Sequence, residues 1–213
     1  MQLFYESAGK QIPMDAFLPS GAGTHPAVIV LHGSGGMWNP MYTQYAEQFS
    51  RLGYAVYVIH YFQATGTHWA DDATIERHFE EWMRTVSRGI DLVVHQPQVD
   101  PARIAILGFS LGAFLALAVA GEDPRVKAVV DFFGGMPEQL RDRCTHMPPV
   151  LILHGDADER VPLRWATELE TLLKRCGTEY DIKVYRGEGH RFGMMTMLDA
   201  GARTVNFLKR HLG

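Results

Sequence analysis

The segment Gly108-Phe109-Ser110-Leu111-Gly112 sets a serine between two glycines where a short apolar run passes into an apolar helical pattern. Such a junction forces a sharp turn that lifts the serine hydroxyl above the elements on either side. The glycines leave room where a side chain would meet neighbouring backbone. The helix start turns its amides and positive dipole end toward an anion forming beside Ser110. A serine hydroxyl is a weak nucleophile at neutral pH, so this chemistry needs a base and an acid to orient that base. Two later segments offer them. The apolar run Val150–His154 ends in Gly155-Asp156-Ala157-Asp158, and the run Tyr180–Tyr185 ends in Arg186-Gly187-Glu188-Gly189-His190. Ser110, Asp158 and His190 follow one another in the order nucleophile, acid, base, with room for a strand–helix unit between each pair. Asp156 and Asp131 are the competing acids: Asp156 reads as a turn residue that shapes its loop, and Asp131 ends a different apolar run.

A tetrahedral intermediate also needs amide donors for its oxyanion. The Leu111 amide at the helix start is one. The loop His32-Gly33-Ser34-Gly35-Gly36 supplies the second, from Ser34 or, one residue on, from Gly35. His32 and His154 themselves read as histidines bonded to backbone rather than as catalysts. Met37, Trp38, Tyr61, Phe109 and Phe192 gather at the same strand ends and are the candidates for a substrate pocket. His60 and His68 lie near a strand end and can join them. The segments 61–70 and 133–149 are the loops long enough to shape an entrance, and neither is long enough for a separate lid domain.

These residues depend on the elements that carry them. Leu3–Ser7 and Ile12–Leu18 flank Ser-Ala-Gly-Lys and read as a hairpin. Pro26–Leu31, Tyr54–His60, Arg103–Leu107, Val126–Phe132, Val150–His154 and Tyr180–Tyr185 are short apolar runs suited to strands buried on both faces. Between them lie helical patterns at Tyr42–Leu52, Asp71–His95, Ser110–Ala120, Leu163–Cys176 and about Met197–His211. In the longest, Phe79, Trp82, Met83, Val86, Ile90, Val93 and Val94 share one face, and Asp71 or Asp72 can cap its start. Alternating strands and helices imply an α/β fold: a mainly parallel sheet flanked by helices, with an N-terminal antiparallel hairpin, as one domain over residues 1–213. In such sheets chemistry collects at the carboxyl ends of the strands.

Composition narrows the function classes. The 213 residues carry 20 Lys and Arg against 24 Asp and Glu, a formal charge of −4, with no basic cluster. Nucleic-acid binding, which draws its affinity from concentrated positive charge, is therefore not expected. No apolar run reaches the roughly 18 to 20 residues of a membrane span, and the first residues do not read as a signal peptide. Cys144 and Cys176 are too few for a disulfide framework and lack zinc-site spacing, as expected of a cytoplasmic protein. The Asp156/Asp158 pair does not make a calcium loop, because Arg160 stands at the third ligand position. No metal or cofactor is expected, and the chain is expected as a monomer or homodimer.

The segments LHGSGG (31–36), GFSLG (108–112), HGDADERVP (154–162) and GEGHRF (187–192) together resemble the dienelactone hydrolase family of the α/β-hydrolase superfamily, from about Pro26 onward. The resemblance implies the α/β-hydrolase fold, with Asp158 as the acid of a G-x-x-D-x-x-V-P stretch and His190 as the base of a G-x-x-H-x-F stretch. It also exposes two departures. The family's namesakes use a cysteine nucleophile helped by a glutamate in the loop after the first buried strand, whereas this chain has Ser110 and no carboxylate in 32–36. Where the namesakes have a substrate-gripping arginine four residues after the base, this chain has Met194. Both departures turn the expectation from an anionic lactone toward a serine esterase acting on small esters or lactones. Peptide hydrolysis or acyl transfer by the same triad is the alternative, followed by a non-catalytic binding protein on the same fold.

Overall fold

The computed structural model describes residues 1–38, 40–141 and 147–213; Cys144 and His146 lie outside the described residues. The chain opens with the antiparallel pair β1 (Gln2–Ser7) and β2 (Lys10–Phe17). Their turn carries positive φ at Ala8 (52°) and Gly9 (69°), the geometry that matches the twist of a two-residue hairpin. Six further strands follow: β3 (His25–Leu31), β4 (Ala55–Ile59), β5 (Val99–Phe109), β6 (Val126–Phe132), β7 (Val150–Gly155) and β8 (Tyr180–Tyr185). They make one eight-stranded sheet in the order β1-β2-β4-β3-β5-β6-β7-β8. β2 meets β4 antiparallel, and every pair from β4 to β8 is parallel.

The period of two along each strand splits the core into two layers. Ile29, Ile104, Ile106, Val129 and Ile152 face a layer closed by α2 (Asp72–Val94), α3 (Leu111–Ala120) and α5 (Arg164–Arg175). Val30, Leu107, Val130 and Leu153 face the other, closed by α1 (Met41–Arg51) and α6 (Met194–Leu212). The short helix α4 (Glu138–Arg141) precedes β7. α3 is buried almost all round, so it has no polar stripe, whereas α2 is amphipathic and begins at Asp71, whose side chain accepts from the Thr74 amide at 2.8 Å. No helix among the described residues is long and apolar enough to cross a membrane.

Two element starts and two short turns depart from the sequence reading for identifiable reasons. β5 starts at Val99 because its first residues pair with His25 on β3, although Asp100, Pro101 and Arg103 hide the strand in the sequence. α6 starts at Met194 because its exposed first turn (Met194 is 79% exposed) has no buried stripe to mark it. The turns of 3-10 helix at Gly36–Trp38 and Tyr61–Ala64 are too short to show a period.

The loops after β7 and β8 are pressed backbone to backbone. Asp156 N donates to Tyr185 O and Ala157 N to Glu188 O, and Gly187 N donates to Asp156 Oδ1 at 2.6 Å. A Cβ at Gly155 would overlap the Glu188 carbonyl. Gly155→Ala must therefore push the two loops apart, at a cost of about 2 kcal/mol or more. We expect its thermal unfolding midpoint to fall by roughly 4 °C or more, measured by circular dichroism beside the parent chain.

Candidate active site

Ser110 sits between β5 and α3 with φ 53° and ψ −119°, a backbone conformation that L residues rarely adopt. Close packing holds it there. A Cβ at Gly108 would overlap the Gly112 carbonyl, and one at Gly112 would overlap the Leu31 carbonyl. Ser110 N donates to Phe132 O at 2.9 Å, while Ser110 O accepts the first amides of α3, from Ala113 and Phe114. The elbow therefore presents Oγ at the carboxyl end of the sheet, between the loops after β3 and β8.

The structure brings Ser110, His190 and Asp158 into one hydrogen-bonded line. His190 Nε2 is 2.9 Å from Ser110 Oγ and Nδ1 is 2.8 Å from Asp158 Oδ2. Asp158 is buried, and its Oδ1 accepts the amides of Arg160 (2.9 Å) and Val161 (2.8 Å). The Asp158 carboxylate accepts a hydrogen bond from Nδ1–H of His190, which leaves the lone pair of Nε2 for the serine hydroxyl. The Phe133 ring packs against the imidazole at 5.0 Å between centroids.

The competing acids have other partners. Asp156 fixes the base loop through Gly187. Asp131 lies at the end of β6 with Oδ1 on the Gly134 amide at 2.7 Å, and its Oδ2 has no partner among the described residues. His154 donates from Nε2 to Val161 O at 2.8 Å, and His32 donates from Nδ1 to Gly33 O at 2.8 Å, so both are bonded to backbone as expected. Burial pulls both imidazoles below their usual range, His32 to about 4. No group of three or more His, Cys, Asp or Glu among the described residues is placed to hold a metal ion.

The loop after β3 lies against the elbow: a Cβ at Gly33 would be 3.4 Å from Ser110 Cβ and 3.3 Å from Phe109 O. The Gly33 amide is engaged by Tyr42 Oη at 3.0 Å, and the Gly36 amide by Gly33 O at 3.0 Å. Ser34 accepts from the Ala70 amide through its carbonyl, at 2.9 Å. Among the described residues the amides of Ser34, Gly35 and Leu111 have no partner.

Of the pocket candidates, Met37 lines a cavity of about 360 Å³ between the loops after β3 and β4, together with His60 and His68. Tyr61 and Phe109, also named as pocket residues in the sequence reading, do not line that cavity. Tyr61 is fully buried beneath that cavity, with its hydroxyl on His32 O at 2.7 Å. Phe109 is buried on the α1/α6 side of the sheet, beside a separate apolar cavity of about 30 Å³. The parity of β5 carried the signal, since Ala105, Leu107 and Phe109 share one face. Phe192 is partly buried against Phe133 and Tyr185, outside the larger cavity. The side chain of Trp38 lies outside what the structure describes. Gln63 and Thr67 on the cavity wall escaped the sequence reading, although both lie in the loop marked there as an entrance.

Residues 14–203 match the model of the dienelactone hydrolase family. The chain belongs to that family. Its membership supports a hydrolase activity. A mouse carboxymethylenebutenolidase homolog is 28% identical over 78% of this chain and 70% of its own length. An uncharacterized peptidase of Bacillus subtilis, YuxL, is 25% identical over 80% of this chain, which spans only 31% of that relative's length. Among solved structures, a dienelactone hydrolase-like promiscuous phosphotriesterase from metagenomic libraries, P91, superposes with a TM-score of 0.89 at 18% identity, covering 100% of this chain and 98% of its own. The likeness establishes the shared fold.

Asp131 carries a consequence for stability. Burial pushes its carboxyl up to about 7, against about 3.9 in an unfolded chain. The folded state therefore binds the proton more tightly. Stability from this group is complete below about pH 4 and is lost as the pH rises toward 7, by up to about 1.4 kcal/mol per pH unit. Urea unfolding of the parent chain and of Asp131→Asn between pH 4 and 8 should show the variant with the flatter profile. Parallel profiles would mean that Asp131 is ionised in the folded chain throughout.

Proposed function

We propose that this family member is a serine hydrolase that cleaves carboxylic esters or lactones of small molecules through an acyl-enzyme. The observation that carries the reading is the continuous Asp158–His190–Ser110 hydrogen-bonded line. His190 Nε2 takes the hydroxyl proton as Ser110 Oγ attacks the carbonyl, and Asp158 stabilises the imidazolium that forms. The amides of Leu111 and of Ser34, or Gly35 beside it, receive the oxyanion, each donor worth about 3 kcal/mol. The imidazolium then protonates the leaving alkoxide. Water, deprotonated by His190, releases the acid and restores Ser110.

The absence of a carboxylate in loop 32–36 and the exposed Met194 in place of an arginine support a neutral substrate over an anionic one. Peptide hydrolysis is the second reading, supported by the peptidase relative of which this chain spans about a third. Hydrolysis of short-chain p-nitrophenyl esters compared with peptide p-nitroanilides separates the two.

Ser110→Ala should lower ester turnover by about 10³-fold or more and abolish labelling by a fluorophosphonate probe, with the fold intact. Near-parental turnover in that variant would remove the mechanism. Asp158→Asn can keep the two loop bonds through its amide oxygen but turns a donor toward Nδ1. It should lower kcat by about 10³- to 10⁴-fold through the wrong histidine tautomer, measured with the same esters.

A further inference from the structure

The 360 Å³ cavity is separate from the serine–histidine–aspartate line yet shares a loop with it. Gly33 packs on Ser110, and His32 and Gly36, on either side of it in sequence, line the cavity. One loop thus serves the nucleophile on one flank and the cavity on the other.

The cavity's polar character is specific. His32 is buried, stacked on Tyr61 at 4.1 Å between ring centroids, with its Nδ1 hydrogen committed to the Gly33 carbonyl. Burial keeps the ring neutral at neutral pH, with its titration near 4. Nε2 therefore holds a lone pair; no described residue bonds to it, and it is not among the buried unpartnered atoms, so it meets accessible space. His60, also on the lining, is bonded through Nε2 to Asp15 Oδ2 at 2.7 Å. Among the described residues no carboxylate, lysine or arginine lines the cavity, and the Asp15 carboxylate beside it is bonded to His60. Met37 and Phe62 supply apolar wall for a carbon skeleton.

We propose that this cavity is a substrate subsite for an uncharged, hydroxyl-bearing group, whose hydroxyl hydrogen is accepted by His32 Nε2. It rests on the ester-hydrolase reading of Ser110 and narrows the substrate class to hydroxylated esters. A ligand offering only a carbonyl or a carboxylate would set its lone pairs against that of Nε2. A substrate that covers this nitrogen without supplying a hydrogen leaves the acceptor unpaired, which penalises the substrate that lacks the hydroxyl.

Two matched pairs test this: glyceryl 1-monobutyrate against propyl butyrate, and methyl 3-hydroxybutyrate against methyl butyrate. The hydroxyl lies on the alcohol side in the first pair and on the acyl side in the second. The parent chain should favour the hydroxylated member of at least one pair by about fivefold or more in kcat/KM, as expected of net hydrogen bonds to a buried acceptor. His32→Phe keeps a ring on Tyr61 and removes the acceptor, and should bring that ratio below about twofold, mainly through KM. Should His32→Phe fail to fold, the methyl ether of the preferred hydroxylated ester, which offers no hydrogen, should lose the advantage in the parent chain. Equal turnover of both members of both pairs overturns the subsite and leaves the esterase reading standing. A parental preference that persists in folded His32→Phe, or in the methyl ether, overturns it as well. No turnover of any of the four esters overturns the esterase reading and the subsite with it.

Discussion

The molecule is organised around one backbone conformation, that of Ser110. Its φ of 53° and ψ of −119° cost about 1–3 kcal/mol in an isolated chain. It persists because the surroundings leave no alternative. β5 is flanked by β3 and β6 in the sheet, α3 is buried on nearly every side, and Gly108 and Gly112 let helix and strand meet at backbone distance. The same contacts set the loop after β3, since Gly112 packs on the carbonyls of Leu31 and His32. Nucleophile, helix start and loop 32–36 are thus one mechanical unit, built into the middle of the sheet.

Burial then decides what chemically identical residues do. Asp158 and Asp131 are both buried at strand ends. Asp158 receives two amides and an imidazole, whereas Asp131 receives one amide. Only the first is solvated by the protein well enough to serve as a carboxylate beside a cation. The histidines divide in the same way. His32 and His154 are buried with one nitrogen on a carbonyl, and His190 is partly exposed between a carboxylate and a hydroxyl. Position at a strand end supplied the candidates, and the number of hydrogen-bond partners separated them.

That distinction also explains what was legible in the sequence. The strand–helix alternation and the order of Ser110, Asp158 and His190 are encoded in local runs and glycine-bounded turns, and the sheet carries them at the expected strand ends. The pocket was less legible. Tyr61 and Phe109 are aromatic and stand at strand ends, like true wall residues. Whether such a ring points into a cavity or the core depends on strand parity and on the 3-10 turn that rolls Tyr61 under His32. Gln63 and Thr67 escaped notice because short polar loop residues look alike until the fold gathers them. The mutual support of the acid and base loops through Asp156 and Gly187 is a contact between segments distant in sequence, with no local signature.

His190 hangs from the periphery of the sheet. β8 pairs only with β7, its pattern of burial is half exposed, and His190 follows it by a short loop. Ser110, by contrast, is anchored at the centre. Edge elements with few buried contacts open at lower free energy than central ones. Displacement of this one strand would part His190 from Ser110 with the rest of the sheet unchanged. Assembling the site thus asks for the edge of the sheet as well as its centre.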